Sequence, residues 1–266
     1  VMLENMIFGR YIPGNSFIHR LDPRAKLIAV FAFIILVFLA NNAVTYAILV
    51  AFTLFVILAS KIRLYFIVNG LKPIIFLMAF TFILHVFFTK EGALLWEFGF
   101  IEIYEEGVKQ GIFISLRFLV LVFMTTVLTL TTSPILITDG LELLLNPLKK
   151  LKIPVHELAL MMSIALRFIP TLMDETDKIM KAQMARGSDL SAGPLKKRIK
   201  AIVPLLVPLF ISAFKRAEDL ATAMEVRGYR GGEGRTRFRQ LQWTWKDTLV
   251  LVIIVALGVS LAYYRG

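Results

Sequence analysis

The chain has 266 residues, 58% of them hydrophobic, with 22 Phe and no Cys. A soluble domain of this size is about 45–50% apolar, so the excess calls for lipid around the fold. The absence of Cys excludes a disulfide framework and a thiolate metal site, and three scattered His (His19, His85, His156) are too few to suggest a metal cluster. Lys and Arg exceed Asp and Glu by 30 to 19, a net charge of +11, and where that excess falls matters more than its size.

Met2 is expected to be the natural first residue, after a remnant Val1. The basic, Pro- and Gly-containing run 9–26 lacks a small-residue cleavage site at the right distance from an apolar stretch, so a removed signal peptide is not expected. Five apolar stretches follow, at 26–40, 43–60, 67–88, 111–132 and 248–264. A hydrocarbon core of about 30 Å asks for about 20 helical residues, which the last three supply comfortably. The first is short, and its helix is expected to begin near Asp22-Pro23. There Asp can cap free N–H groups and Pro suits the first turn. Asn41-Asn42 then makes a tight turn.

Orientation follows from the cations near the span ends. Arg20, Arg24 and Lys26 precede the first stretch, and Lys61, Arg63 and Lys72 follow the second. Glu91, Glu97, Glu102, Glu105 and Glu106 crowd the loop after the third, and Lys149, Lys150 and Lys152 follow the fourth. The positive-inside rule places the N-terminus and the second connection in the cytoplasm and, with five spans, the C-terminus outside.

Between the fourth and fifth stretches charges interrupt the apolar runs 155–170 and 202–214. Residues 174–186 read as an amphipathic helix, and 212–227 repeat the style. Pro204 and Pro208 are expected to kink or break the second of these helical regions. The alternative, that 155–172 and 202–214 are two extra spans, is made less attractive by Arg167 and the prolines. The expected organisation is a four-helix membrane region at 1–132, a cytoplasmic helical domain at 133–246 and a last transmembrane helix at 247–266.

Within the middle domain lies a weak repeat. Ala182-Gln-Met-Ala-Arg186-Gly187 and Ala223-Met-Glu-Val-Arg227-Gly228 share the form Ala-x-x-x-Arg-Gly, 41 residues apart. Gly just past a helix end can adopt the left-handed conformation that satisfies free carbonyls. Arg beside it sits at the negative end of the helix dipole and projects a five-donor fork suited to a carboxylate. Either copy alone reads best as a well-capped helix. Two copies in one basic, membrane-abutting segment suit a subunit that engages two similar partners.

With Gly9-Arg-Tyr-Ile-Pro-Gly14, Ser16, His19 and Leu21-Asp-Pro-Arg-Ala-Lys26 at the start, the chain resembles the transmembrane (T) component of energy-coupling factor transporters, the CbiQ-like EcfT family. The likeness covers nearly the whole chain. It implies an all-α, polytopic membrane bundle acting as a non-catalytic subunit of an ABC-type importer in a bacterial cell membrane. It implies docking of Ala185-Arg186-Gly187 and Val226-Arg227-Gly228 to two ATPase subunits (EcfA and EcfA′), with Asp22, Pro23, Arg24 and Lys26 as the opening signature. It also implies a separate S component that binds the vitamin or micronutrient.

Other signals carry less. Arg117 inside the fourth stretch and His85 near the end of the third are charged or polar groups in expensive places, read here as structural contacts. Glu105-Glu106 invites comparison with intramembrane proteases of the Glu-Glu-x-x-x-Arg type, but position 110 is Gln. No phosphate-binding Gly-x-x-x-x-Gly-Lys-Ser/Thr loop, Gly-x-Ser-x-Gly elbow or His-Glu-x-x-His is present. No enzyme activity, cofactor or metal is therefore expected. The basic excess is assigned to membrane topology rather than nucleic acid, and the run 230–239 to the anionic leaflet surface. The Met residues of the middle domain suit a surface that repacks against different partners. The rival readings are a self-contained secondary transporter, which would need midplane charge pairs and inverted repeats, and a membrane scaffold.

Overall fold

The computed structural model describes residues 11–98, 101–187, 195–231 and 240–265, apart from the side chains of residues 97, 98, 101 and 195–201. Gly9-Arg10 of the opening signature and residues 232–239 of the basic run lie outside them. The chain divides into two compact units, one of Gly9–Gly140 with Leu241–Gly266, the other built on Leu141–Gln240.

The first unit is a bundle of apolar helices. Helix α1 (Pro23–Val37) starts as its sequence dictates: Asp22 caps it by accepting the Arg24 N–H, and Pro23 occupies the first turn. Helix α2 (Ala43–Ser60) opens on a capping box between Asn42 and Thr45. After Lys61, held at φ +52°, a short α3 (Leu64–Asn69) precedes α4 (Lys72–Phe88). The expected stretch 67–88 is thus divided, because the α3 hydrogen-bond ladder closes at Gly70 and Pro73 opens a new first turn.

A hairpin of β1 (Leu94–Phe98) and β2 (Ile101–Tyr104), absent from the sequence reading, fills the acidic loop. Its register sets Glu97 opposite Glu102, and the Lys90 ammonium donates to Glu102 at 2.9 Å. That bond holds the Glu102 carboxyl below the usual glutamate range and the Lys90 ammonium above its own. Helix α5 (Glu105–Thr131) follows, and the unit closes with α9 (Trp245–Tyr264) after the second unit.

The bundle core joins Phe33 and Val37 of α1, Tyr46 and Leu49 of α2, Val120 and Met124 of α5, and Leu257 and Leu261 of α9. Polar side chains inside these helices bond back to their own backbone, as Thr53 to Leu49 O at 2.8 Å and Thr131 to Val127 O at 2.7 Å. In lipid that is the economical way to satisfy a hydroxyl. Arg117 donates to Ala40 O at 3.4 Å and lies over the Phe38 ring, while His85 bonds Thr81 O at 2.8 Å. Both are structural contacts, as expected. Outward-facing Phe76 and Phe88 are about four-fifths exposed, which suits a lipid-facing wall and not a water-facing one.

Helix α6 (Pro134–Leu145) leads out of the bundle, and a 3-10 turn at Asn146–Leu151 precedes α7 (Val155–Ala185) and α8 (Leu195–Val226). Both long helices are continuous. Pro204 and Pro208 do not break α8, and Pro170 sits inside α7. A helical Pro removes one N–H and crowds the carbonyl four residues back, but the flanking turns keep their bonds. The apolar run 155–170 and the amphipathic run 174–186 are therefore one helix. Among the described residues four helices are, by length and composition, long and apolar enough to cross a membrane: α2, α5, α7 and α9, with α4 a shorter apolar helix. The protein is an all-α membrane bundle; α1, at 15 residues, falls short of the span length.

Candidate partner-docking site

The two Arg-Gly ends adopt the same local geometry. At the end of α7 the Arg186 N–H reaches Ala182 O at 3.2 Å and Gln183 O at 3.1 Å, and the Gly187 N–H reaches Met184 O at 3.0 Å with φ +84°. At the end of α8 the Arg227 N–H bonds Ala223 O at 3.2 Å and the Gly228 N–H bonds Glu225 O at 2.8 Å with φ +72°. There the Tyr229 N–H also returns to Met224 O at 2.9 Å, which completes the six-to-one and five-to-two bonds of a Schellman cap. The expected left-handed glycines are thus present in both copies.

Each cap fixes where its arginine departs from the helix. Ala185, Arg186 and Gly187 are exposed, as are Val226, Arg227 and Gly228. Val226 is 81% exposed, a large apolar side chain left in the open beside a cation. Among the described residues, neither guanidinium makes an ion pair. A guanidinium at a helix C-terminus with unused donors and a small apolar shoulder can grip a carboxylate on another surface.

The helices carrying these ends are tied together. Glu175 of α7 accepts from the Ser212 hydroxyl of α8 at 2.8 Å and pairs with the Arg216 guanidinium of α8. Near the start of α7, His156 bonds Glu142 of α6 at 3.0 Å. These cross-links stiffen the pair that presents the arginines. Sequence spacing alone could not find them, since Glu175 and Ser212 are 37 residues apart.

The opening signature is placed differently. Asp22 and Lys26 are buried at 5% and 6% exposure. Asp22 holds Arg24 through both carboxylate oxygens, at 3.0 Å to Nε and 2.9 Å to Nη2. Asp247, fully buried, accepts the Asp22 N–H at 2.7 Å on one oxygen and the Thr244 N–H and hydroxyl at 2.7 and 2.6 Å on the other. The signature belongs to the bundle interior, whereas the Arg-Gly ends belong to the surface of the other unit. Asp247 escaped the sequence reading, although Thr244-Trp-Lys-Asp247 has the spacing of a capping box.

Comparison with known proteins identifies the family. The profile of the CbiQ family, described as cobalt transport protein, matches residues 14–238. The chain is 63% identical over 265 residues to the energy-coupling factor transporter transmembrane protein EcfT of Bacillus subtilis (strain 168), with both chains covered in full. It is 60% identical over 261 residues to the protein of the same name from Exiguobacterium sibiricum, covering 98% of this chain and 99% of that one. A 58% identity over 265 residues, again complete for both chains, links it to the EcfT protein of Listeria innocua. Likeness of this depth along the whole length, joined to an all-helical membrane architecture, shows that the chain belongs to the CbiQ-like EcfT family of energy-coupling factor transporter transmembrane components.

Proposed function

We propose that this T component couples ATP hydrolysis on two partner ATPases to vitamin or micronutrient uptake through a separate membrane S component. The observation that carries this reading is the pair of exposed Arg-Gly ends on α7 and α8, each closed by a glycine at positive φ. Two equivalent grips fit two similar ATPase subunits. Arg186 and Arg227 bind a carboxylate-lined groove on each ATPase, with Ala185 and Val226 packing beside them and Gly187 and Gly228 setting the angle. The chain itself does no chemistry; closure of the ATPases on nucleotide pulls the two helix ends, and the stiff α7–α8 pair carries the motion towards the bundle and the S component.

Exposed apolar side chains on the same helices, among them Met161, Met162, Phe210 and Phe214, support contact with a second membrane subunit. Thioether and aromatic surfaces tolerate more than one partner. The cations flanking α1 and α2 support a cytoplasmic N-terminus, and Lys149, Lys150 and Lys152 support a cytoplasmic start of the 133–246 domain.

The test is co-purification from membranes with its native partners. Wild type is expected to bring two ATPase subunits, and the Arg186→Glu/Arg227→Glu double variant to reach the membrane without them. An intact complex after the double change sinks the docking assignment.

A further inference from the structure

The chain leaves the bundle unit after Gly140 and returns to it at Leu241. Both crossings lie against the same turn of α1, and every atom of that junction belongs to the bundle unit. On departure, Gly140 packs so closely that a Cβ there would stand 3.2 Å from Pro23 Cβ and 3.3 Å from Leu27 Cδ1. Just upstream, the Lys26 ammonium donates to Thr131 O and Thr132 Oγ1, both at 3.1 Å, and to His19 O at 3.4 Å. On return, Arg24 Nη2 reaches Leu241 O at 3.5 Å and its guanidinium lies 5.5 Å from the Trp243 ring centroid. Asp247 then fastens the start of α9 to the Asp22 N–H.

Apolar packing already joins α1 to α9, since Phe33 and Leu257 share one core. Burying Asp22, Lys26 and Asp247 beside Arg24 is an expensive addition if adhesion is the sole purpose, because desolvation of such groups offsets much of their attraction. What the charged network adds is direction: it ties the return crossing and the end of α5 to the turn of α1 against which Gly140 packs. Helix α6 runs unbroken from Pro134 to Leu145, so a displacement of residue 145 reaches Gly140 without a flexible joint.

We propose that the Asp22–Lys26 turn is the mooring through which movement of the 141–240 segment passes into α1 and α9, with Arg24, Asp247 and Gly140 as its positioning residues. This rests on the coupling function proposed above. It gives the opening signature a mechanical role separate from partner docking.

The test uses the assembled complex in lipid nanodiscs. Because the chain has no native Cys, a single fluorophore can be placed through Val252→Cys, an exposed position of α9. The readouts are the emission change on trapping with ATP and vanadate, the rate of ATP hydrolysis, and ATPase retention. Arg24→Gln frees the return crossing; Gly140→Ala presses on the departure crossing and serves if the first variant folds poorly. Each is expected to keep both ATPases and their hydrolysis while the ATP-dependent emission change falls about fivefold or more, the low end of a typical coupling between sites. An unchanged emission response in both variants, no response in a wild-type complex that holds its ATPases, or loss only in step with hydrolysis overturns the mooring. Failure of the wild-type chain to retain ATPases instead overturns the function on which it rests.

Discussion

Gly228 offers a perturbation whose size follows from the structure. Its φ is +72°, and an added Cβ would meet nothing within 4 Å. Substitution therefore introduces no clash, and the whole cost is that of holding an L-residue in the left-handed region. For Ala that is about 1–2 kcal/mol, less for Asn, which tolerates the conformation, and more for a β-branched Val. If docking requires the capped geometry, a variant must recover it on binding. Affinity for the ATPase pair then falls by that energy, about 5- to 30-fold for Gly228→Ala at 1.4 kcal/mol per decade. Gly187, at φ +84° with the same open surroundings, behaves alike. The two caps sit on different helices, so the double Ala variant is expected to combine the two losses nearly additively in free energy. Titration of nanodisc-held protein with purified ATPases gives the number directly. The order wild type, Asn, Ala, Val of weakening affinity is the signature; equal affinities across the series, or Asn worse than Val, refute the role of the cap.

Three further outcomes are expected. Asp247→Ala leaves the Asp22 and Thr244 N–H groups without their acceptor, at about 1–3 kcal/mol each, and Asp247→Asn keeps one acceptor and loses about half as much. Thermal unfolding in detergent reads both, and an Ala variant as stable as wild type excludes the network. Glu175→Gln weakens the tie from α7 to Arg216, and since both side chains are partly exposed the coupling in a double-mutant cycle with Arg216→Gln is about 1 kcal/mol or less; hydrogen exchange should rise along both helices, and a rise confined to one contradicts a cross-link. The hairpin ion pair has a pH window. Glu102 has a folded pKa below its unfolded one, so its contribution is present above the usual glutamate range and disappears as pH falls through the depressed value. Lys90 is raised, so its contribution is full below the usual lysine range and is lost as pH rises past the raised value. Protection of the β1 and β2 amides, taken relative to the intrinsic exchange rate at each pH, should therefore be greatest across the neutral range and fall at both extremes, and a Lys90→Gln variant that keeps the acid-side loss of protection unchanged refutes the pairing.

Local rules made some of this fold legible. Asp22 caps α1 and Pro23 follows because both residues suit positions with free N–H groups, and Gly187 and Gly228 close their helices because they alone sit comfortably at positive φ there. Where the sequence misled, a local rule met a non-local condition. Pro204 and Pro208 are helix breakers by local criteria, but α8 is anchored on α7 through Glu175, Ser212 and Arg216, and neighbouring turns hold the helix across the missing bonds. The hairpin escaped notice because two short strands inside an acidic loop give little alternation to read. The contact between Asp247 and Asp22 spans 225 residues. Either end showed a capping residue, and neither showed that one carboxylate serves both helices.

The cations of the two sequence signatures separate by what their donors already do. All three N–H directions of Lys26 are taken, by His19 O, Thr131 O and Thr132 Oγ1, and Arg24 is engaged with Asp22 and Leu241. Lys26 has no donor left for another chain, so its role is internal, and Arg24 spends its Nε and Nη2 donors within the bundle unit. Arg186 and Arg227 stand at helix ends closed by left-handed glycines, exposed and without ion pairs among the described residues. A side chain held at a fixed angle loses less freedom on binding, so the capped helix end makes each unused guanidinium a better grip than the same residue on a loop. Exposed, capped donors on one unit and engaged donors on the other fit the coupling role proposed above, in which Arg186 and Arg227 hold the partners and the Asp22–Lys26 turn anchors the bundle.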